Sequence, residues 1–246
     1  MSHPTLILSP RQTPDSHALW RAAADLGWDV ERLAGWRVPD HLRTVAEPVL
    51  YVEALVAPTF AAELGLALAE PKADWLPRLP HGFRRRTVGL YPIDEARRLP
   101  GPVFVKPPND KSFPAAVLAS GADIPVWADS PHVLAAEPVE WQSEFRTFLP
   151  EGRVAAASVY LREGRLQREA GFAADEGELA EARAFAERVA AEVETPSAVV
   201  MDVGVIRGRG WAVVELNAAW AAGLYGCDPA AALAVIRRAQ MLIRSG

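Results

Sequence analysis

Short apolar runs, cut by turns bearing proline or glycine, recur along the chain and predict a protein rich in strands. The strongest pattern is a pair of almost wholly apolar runs, residues 199–206 and 211–216, around Arg207-Gly208-Arg209-Gly210. Two such runs joined by a short glycine-bearing turn predict an antiparallel hairpin. Upstream, residues 144–149 alternate: Phe145, Thr147 and Leu149 take one face, Glu144, Arg146 and Phe148 the other. After a turn at 150–153, the run 154–160 returns antiparallel. Residues 175–193 carry Leu179, Ala182, Phe185, Ala186 and Val189 as one helical stripe, with acids in the first turn.

The N-terminal third reads strand (5–8), helix (16–26, stopped by Gly27), strand (28–33), strand (49–56) and helix (59–66). That order predicts a small open α/β lobe over residues 1–80. It has no glycine-rich fingerprint, so it is not read as a dinucleotide fold. Residues 76–80 (LPRLP) form a proline-hinged linker. Beyond it, short strands are expected at 103–106, 126–127 and 132–140, the last broken by Pro138, and a closing helix over 230–243.

The length of 246 residues allows a large core or two to three small lobes. A net charge of −5 argues against a wide nucleic-acid footprint, and no apolar run reaches membrane-spanning length. The start lacks a basic leader, so a cytoplasmic protein is expected. The single cysteine, Cys227, excludes an intramolecular disulfide and is read as a packed thiol; His132 is read as structural.

Candidate chemistry centres on the hairpin. A register centred between Gly208 and Arg209 sets Asp202 opposite Glu215, and Asn217 shares that face. Opposed carboxylates repel unless a cation lies between them, and their hard oxygens suit Mg²⁺ or Mn²⁺. The alternative is a solvated acidic face, and a three-residue loop would slip the register and separate the groups. Upstream, Lys106 ends a strand and is either an edge guard or a cation aimed at phosphate. Arg84, Arg85 and Arg86 are either a solvated run or the source of one anion-binding arginine. Glu144 and Arg146 share a face, as a plain ion pair or as site residues.

The spacing of Asp202 and Glu215-Leu216-Asn217 resembles the metal-binding end of the ATP-grasp ligases. The likeness runs over residues 84–228 in the order lysine strand, hinge, Glu-x-Arg, helix, acidic hairpin. It implies an α/β (α+β) fold in which two lobes, 81–135 and 136–246, grip ATP after the N-terminal lobe. It further implies Asp202, Glu215 and Asn217 as ligands of Mg²⁺ (or Mn²⁺) and Lys106 on the ATP phosphates, with backbone near Glu137 and Val139 on adenine and Glu140 on the ribose. Glu144 and Arg146 form the Glu-x-Arg, with Arg146 facing phosphate or the acyl intermediate, and Arg86 is counted among the ATP contacts. The segment 107–115 has no glycine, unlike the usual phosphate loop of the family, and Lys111 and Ser112 stand in for it. That lysine-bearing loop resembles a small branch marked by two arginines and a lysine. The implied activity is ATP-dependent joining of a carboxylate, through an acylphosphate, to an amine of an amino acid or peptide-like substrate. A dimer is compatible with it. The alternatives are a non-catalytic nucleotide-binding or interaction module, and a phosphotransferase using the same site.

Overall fold

The computed structural model describes residues 3–108, 112–128 and 130–243; Lys111 lies outside them. Strand β1 (Thr5–Leu8) is fully apolar in its buried positions 6–8 and lies between β2 (Asp29–Arg32) and β3 (Pro48–Tyr51), parallel to both. The connection from β1 to β2 is α1 (Pro14–Asp25). Its start is fixed by Thr13 and Ser16, whose side chains each accept the other's backbone N–H, and by Pro14 in the first turn. The third strand stops at Tyr51 rather than near residue 56 because the Glu53 carbonyl accepts the Val56 and Ala57 N–H groups and starts α2 (Ala57–Leu64). Gly65, at φ +68°, ends that helix in the left-handed conformation, and β4 (Leu66–Leu68) follows.

The expected linker at 76–80 is instead largely helical. Trp75, Leu76 and Leu79 of α3 (Trp75–Arg78) and its exit are buried, and the Trp75 indole donates to the Glu194 carbonyl at 2.8 Å. Burial of three large apolar side chains outweighs the local proline signal. After α4 (His81–Arg84) come β5 (Val88–Pro92), α5 (Ile93–Ala96), β6 (Val103–Lys106), β7 (Ala116–Leu118) and β8 (His132–Ala136). The strands form an antiparallel sheet ordered β5-β8-β6-β7. The strand expected at Val126-Trp127 is an exposed turn.

A second antiparallel sheet, ordered β11-β10-β9-β12-β13, contains β9 (Trp141–Pro150), β10 (Ala156–Arg162), β11 (Arg165–Leu166), β12 (Ala198–Ile206) and β13 (Gly210–Asn217). Helix α6 (Glu176–Glu192) covers one face, packing Ala182, Phe185, Ala186 and Val189 on Phe145, Leu149, Val199 and Met201. The opposite face sends Phe148, Ala156 and Val200 into one core with the N-terminal sheet and with Leu233 and Ile236 of α7 (Pro229–Arg238). The closing helix therefore ends at Arg238, and β14 (Gln240–Leu242) pairs with β4. The Gln240 amide bonds both the N–H and the carbonyl of Leu50, which fixes that turn away from helix.

The β12–β13 hairpin carries the key register. Its loop has three residues, Arg207 to Arg209, so next to the turn the pairing is slipped by one, with Ile206 opposite Gly210 and Val203 opposite Val213. Val214 is then an extra, unpaired residue, and beyond this bulge Asp202 faces Glu215. Arg86 fixes the bulge by donating to the carbonyls of Val213 (2.7 Å) and Val214 (2.9 Å).

Candidate active site

Four side chains form one row across the second sheet. Ser158, Arg146, Asp202 and Glu215 are direct cross-strand neighbours on β10, β9, β12 and β13. Asn217 lies two residues beyond Glu215 on the same face. Asp202 is wholly buried and receives Arg146 through two bonds, Nε to Oδ1 at 3.0 Å and Nη2 to Oδ2 at 2.6 Å. Arg146 Nη1 donates to the Gly223 carbonyl at 2.8 Å, and its guanidinium lies 4.6 Å from the centroid of the Tyr225 ring. Three of the five N–H donors of an arginine are thereby engaged. Gly223 is needed there: a Cβ would come within 3.1 Å of Asp15 Oδ2 and 3.6 Å of Arg146 Nη1.

Glu215 accepts from Lys106, and the Asn217 amide donates to both Glu215 Oε1 (2.9 Å) and Asp202 Oδ2 (3.2 Å). The opposed carboxylates are thus neutralised by Arg146 and Lys106 and bridged by an amide. Burial pushes Asp202 up to about 6 against the pull of Arg146. Burial also acts to raise Glu215, but Lys106 and Asn217 overcome it and hold it at about 2.

Glu144 and Arg146 do not pair with each other. Glu144 accepts from the Tyr160 hydroxyl at 2.6 Å, and burial pushes its carboxyl up to about 7. Lys106 does not guard an edge, since β6 is flanked by β8 and β7. It crosses from the first sheet to the second and closes the inner end of a cavity of about 280 Å³. The cavity walls are largely apolar, with Val88, Phe104, Leu134, Ala136 and Val214; Arg86, Glu137, Val139, Glu144 and Glu215 complete them. Of the three arginines, Arg86 is the buried one, and burial lowers its pKa to about 10. Arg84 donates to the Val88 carbonyl. Among the described residues neither the Val139 N–H nor the Glu137 carbonyl has a hydrogen-bond partner. Glu140 is exposed, paired with Arg207 at 2.9 Å, and Ser112 is half-buried; neither lines the cavity.

Among the described residues no group of three or more His, Cys, Asp or Glu gathers as a metal cage. The donor set for a divalent ion is two carboxylates and one amide. It fits Mg²⁺ in kind, because hard oxygens converge beside a cavity and Lys106 stands on Glu215 where a cation is wanted. Asn217 would then have to turn its oxygen, not its NH₂ group, toward the ion.

Sequence reasoning did not assign Tyr160 to Glu144, and it left Tyr225 between core and pocket wall. Tyr160 sits beyond a register shift in β10, so alternation misplaces it. Tyr225 is at φ +45° and stacks on Tyr160 with centroids 5.2 Å apart, a contact without a local sequence signal. Cys227 is buried, as a packed thiol should be, and burial pushes it up to about 11. No helix among the described residues is long and apolar enough to cross a membrane.

Two sheets closing on a cavity, a lysine reaching across it, and an arginine–acid row behind it define an ATP-grasp fold. The chain belongs to the ATP-grasp domain family, in family 2 of the clade named for two arginines and a lysine, which its residues 83–235 match. Solved structures carry the likeness over nearly the whole chain. A RimK domain protein ATP-grasp from Sphaerobacter thermophilus is 19% identical with a TM-score of 0.55, covering 94% of this chain and 98% of that one. The D-cycloserine synthetase DcsG is 14% identical with a TM-score of 0.60, over 95% and 98%. The ATP-grasp ligase PsnB, solved with a precursor peptide and AMPPNP, is 14% identical with a TM-score of 0.53, over 97% of both chains. At these identities the likeness establishes the fold. No curated protein matches the sequence. Members of the ATP-grasp superfamily are ATP-dependent ligases, and this chain is one of that superfamily.

Proposed function

We propose that the protein is an ATP- and Mg²⁺-dependent ligase that joins a carboxylate to an amine. The observation that carries this reading is the Lys106–Glu215 contact at the closed end of an apolar cavity, one strand from the Arg146–Asp202 pair. The apolar walls take adenine, and the Val139 N–H and Glu137 carbonyl offer a donor and an acceptor to its edge. Lys106 then meets phosphate, exchanging Glu215 for a more highly charged partner. Lys111 and Ser112 complete the phosphate contacts, and Glu140 reaches the ribose once it parts from Arg207. Mg²⁺ held by Glu215, Asn217 and Asp202 would neutralise the triphosphate charge.

In this reaction a carboxylate oxygen attacks the γ-phosphorus, and ADP leaves with the electron pair of the bond to its bridging oxygen. The amine nitrogen then attacks the acyl carbon. A C–N bond forms, the C–O bond to phosphate breaks, and phosphate departs with that pair and the proton released by nitrogen. The chain supplies charge and position, and no side-chain nucleophile is required. Arg146, locked on Asp202 and Gly223, has two N–H donors left for the transferring group.

The glycine-free segment 107–115 favours a second reading, a module that binds nucleotide without turnover. ADP release across amino acids and short peptides, with products read by mass spectrometry, separates the two. A coupled product supports the ligase, ATP binding without ADP release supports the module, and a phosphorylated but uncoupled product makes it a phosphotransferase.

A further inference from the structure

The N-terminal sheet has strand order β2-β1-β3. In parallel sheets the crevice for a ligand lies beyond the carboxyl ends of the strands where the order reverses, here between β1 and β3. Ser9 follows β1, and Glu53 lies two residues past β3. The Ser9 hydroxyl donates to Glu53 Oε1 at 3.2 Å, and Arg11 approaches the same oxygen at 3.6 Å. Glu53 Oε2 is out of reach of solvent and has no hydrogen-bond partner among the described residues, although the side chain as a whole is 30% exposed. A buried carboxylate oxygen left without a donor is costly, and such an exception calls for an explanation.

The crevice opens toward the candidate active site. Tyr51, the last residue of β3, donates its hydroxyl to the Ala222 carbonyl at 3.1 Å. The next carbonyl in that loop, Gly223, receives Arg146, and the Leu224 N–H is held by Asp15 Oδ2 at 3.0 Å. Burial pushes the Tyr51 phenol well up, and its charged neighbours are Asp15, Arg146 and Glu53. The Glu53 crevice and the arginine row thus share one wall.

We propose that Glu53 is the specificity-determining residue of the acceptor site and that it selects a cationic primary amine, the ammonium of an amino acid or of a peptide N-terminus. The proposal rests on the ligase reading above. An ionised carboxylate only accepts hydrogen bonds, so its open oxygen requires a donor. An ammonium supplies both donor and charge, whereas a thiol supplies neither well and a phosphate or carboxylate is repelled. Arg11, whose side chain is 67% exposed, stands where the carboxylate of the same amino acid would lie.

The test uses Glu53→Gln, which keeps shape and the backbone carbonyl that starts α2, with Glu53→Asp as a charge-retaining control. Hydroxylamine, a neutral nucleophile, traps acylphosphate as hydroxamate without needing Glu53. For each carboxylate that yields hydroxamate, coupling to amino acids is followed at saturating ATP. Glu53→Gln is expected to keep hydroxamate formation and to raise KM for the amine about 10- to 100-fold, as loss of a charged hydrogen bond does, with Glu53→Asp between it and wild type. Unchanged KM for the amine in a folded Glu53→Gln overturns the proposal. If wild type forms no hydroxamate, the ligase reading fails by itself, and calorimetry with amino acids and their methyl esters decides the pocket. Binding to wild type that is lost in Glu53→Gln then supports it, and binding absent from wild type or equal in both overturns it.

Discussion

Arg146→Lys separates geometry from charge at the centre of the site. Arginine makes two charge-assisted bonds to the buried Asp202 and one to the Gly223 carbonyl. A single ammonium on a shorter reach keeps one bond to Asp202 and surrenders the second and the bond to Gly223. A hydrogen bond to a charged group is worth about 1.5–3 kcal/mol and a neutral one about 1, so the expected loss of stability is about 3 kcal/mol. The Tyr225 ring also loses its flat partner. The two N–H groups aimed away from Asp202 go with the fork, and a bidentate partner for the transferring phosphoryl group with them. Turnover should fall by about 10²-fold, near 2.7 kcal/mol of barrier, while ATP affinity changes little. Urea unfolding measures the first effect, and steady-state kinetics on an identified carboxylate measure the second. Wild-type stability would refute the pairing with Asp202. Wild-type turnover in a folded variant would refute a role for Arg146 in the reaction, and a loss confined to KM for the carboxylate would make it a substrate anchor.

Other changes test the remaining parts. Lys106→Met should weaken ATP binding by about 1.5–3 kcal/mol without preventing folding, as read by calorimetry. It should also release Glu215 from its value near 2 toward the ordinary range, as read by carboxyl NMR titration. Glu144 is held near 7 in the folded chain against 4.5, so it stabilises the fold while protonated, and that contribution is lost as pH rises through about 7. Glu144→Gln, which stays neutral and still accepts from Tyr160, should remove about 3 kcal/mol of the fall in unfolding free energy between pH 4.5 and 7. Gly226→Ala should destabilise by more than about 1 kcal/mol, because Gly226 sits at φ +81° and a Cβ would lie 2.5 Å from that of Phe172; thermal unfolding reads it.

The candidate site was legible where its residues lie close in sequence. Asp202, Glu215 and Asn217 belong to one hairpin, and hydrophobic runs plus a glycine turn were enough to bring them together. The assumed turn was wrong by one residue, and the register at Asp202 survived only because the bulge at Val214 restores it. That bulge depends on Arg86, 128 positions from Val214, so no local pattern announces it. Glu144 and Arg146 were placed on one face correctly, but their partners, Tyr160 and Asp202, were not named. The linker at 76–80 and the helix end at 238 were misread for the same reason: a remote core claims Trp75 and Leu79, and β4 claims residues 240–242.

The sequence by itself determined the order of strands and helices, the stripe of α6, the acidic hairpin, and a lysine at a strand end. Each is written in a period of two or of 3.6 residues, or in turn chemistry, which act over a few positions. The tertiary structure decided which cation meets which carboxylate. Arg146 reaches Asp202 across 56 positions and Lys106 reaches Glu215 across 109, and both depend on strand order and on how the two sheets face each other. It also decided that Asp202 is fully buried and Glu140 exposed, which fixes how strongly each charge acts, because burial removes the water that would otherwise screen it.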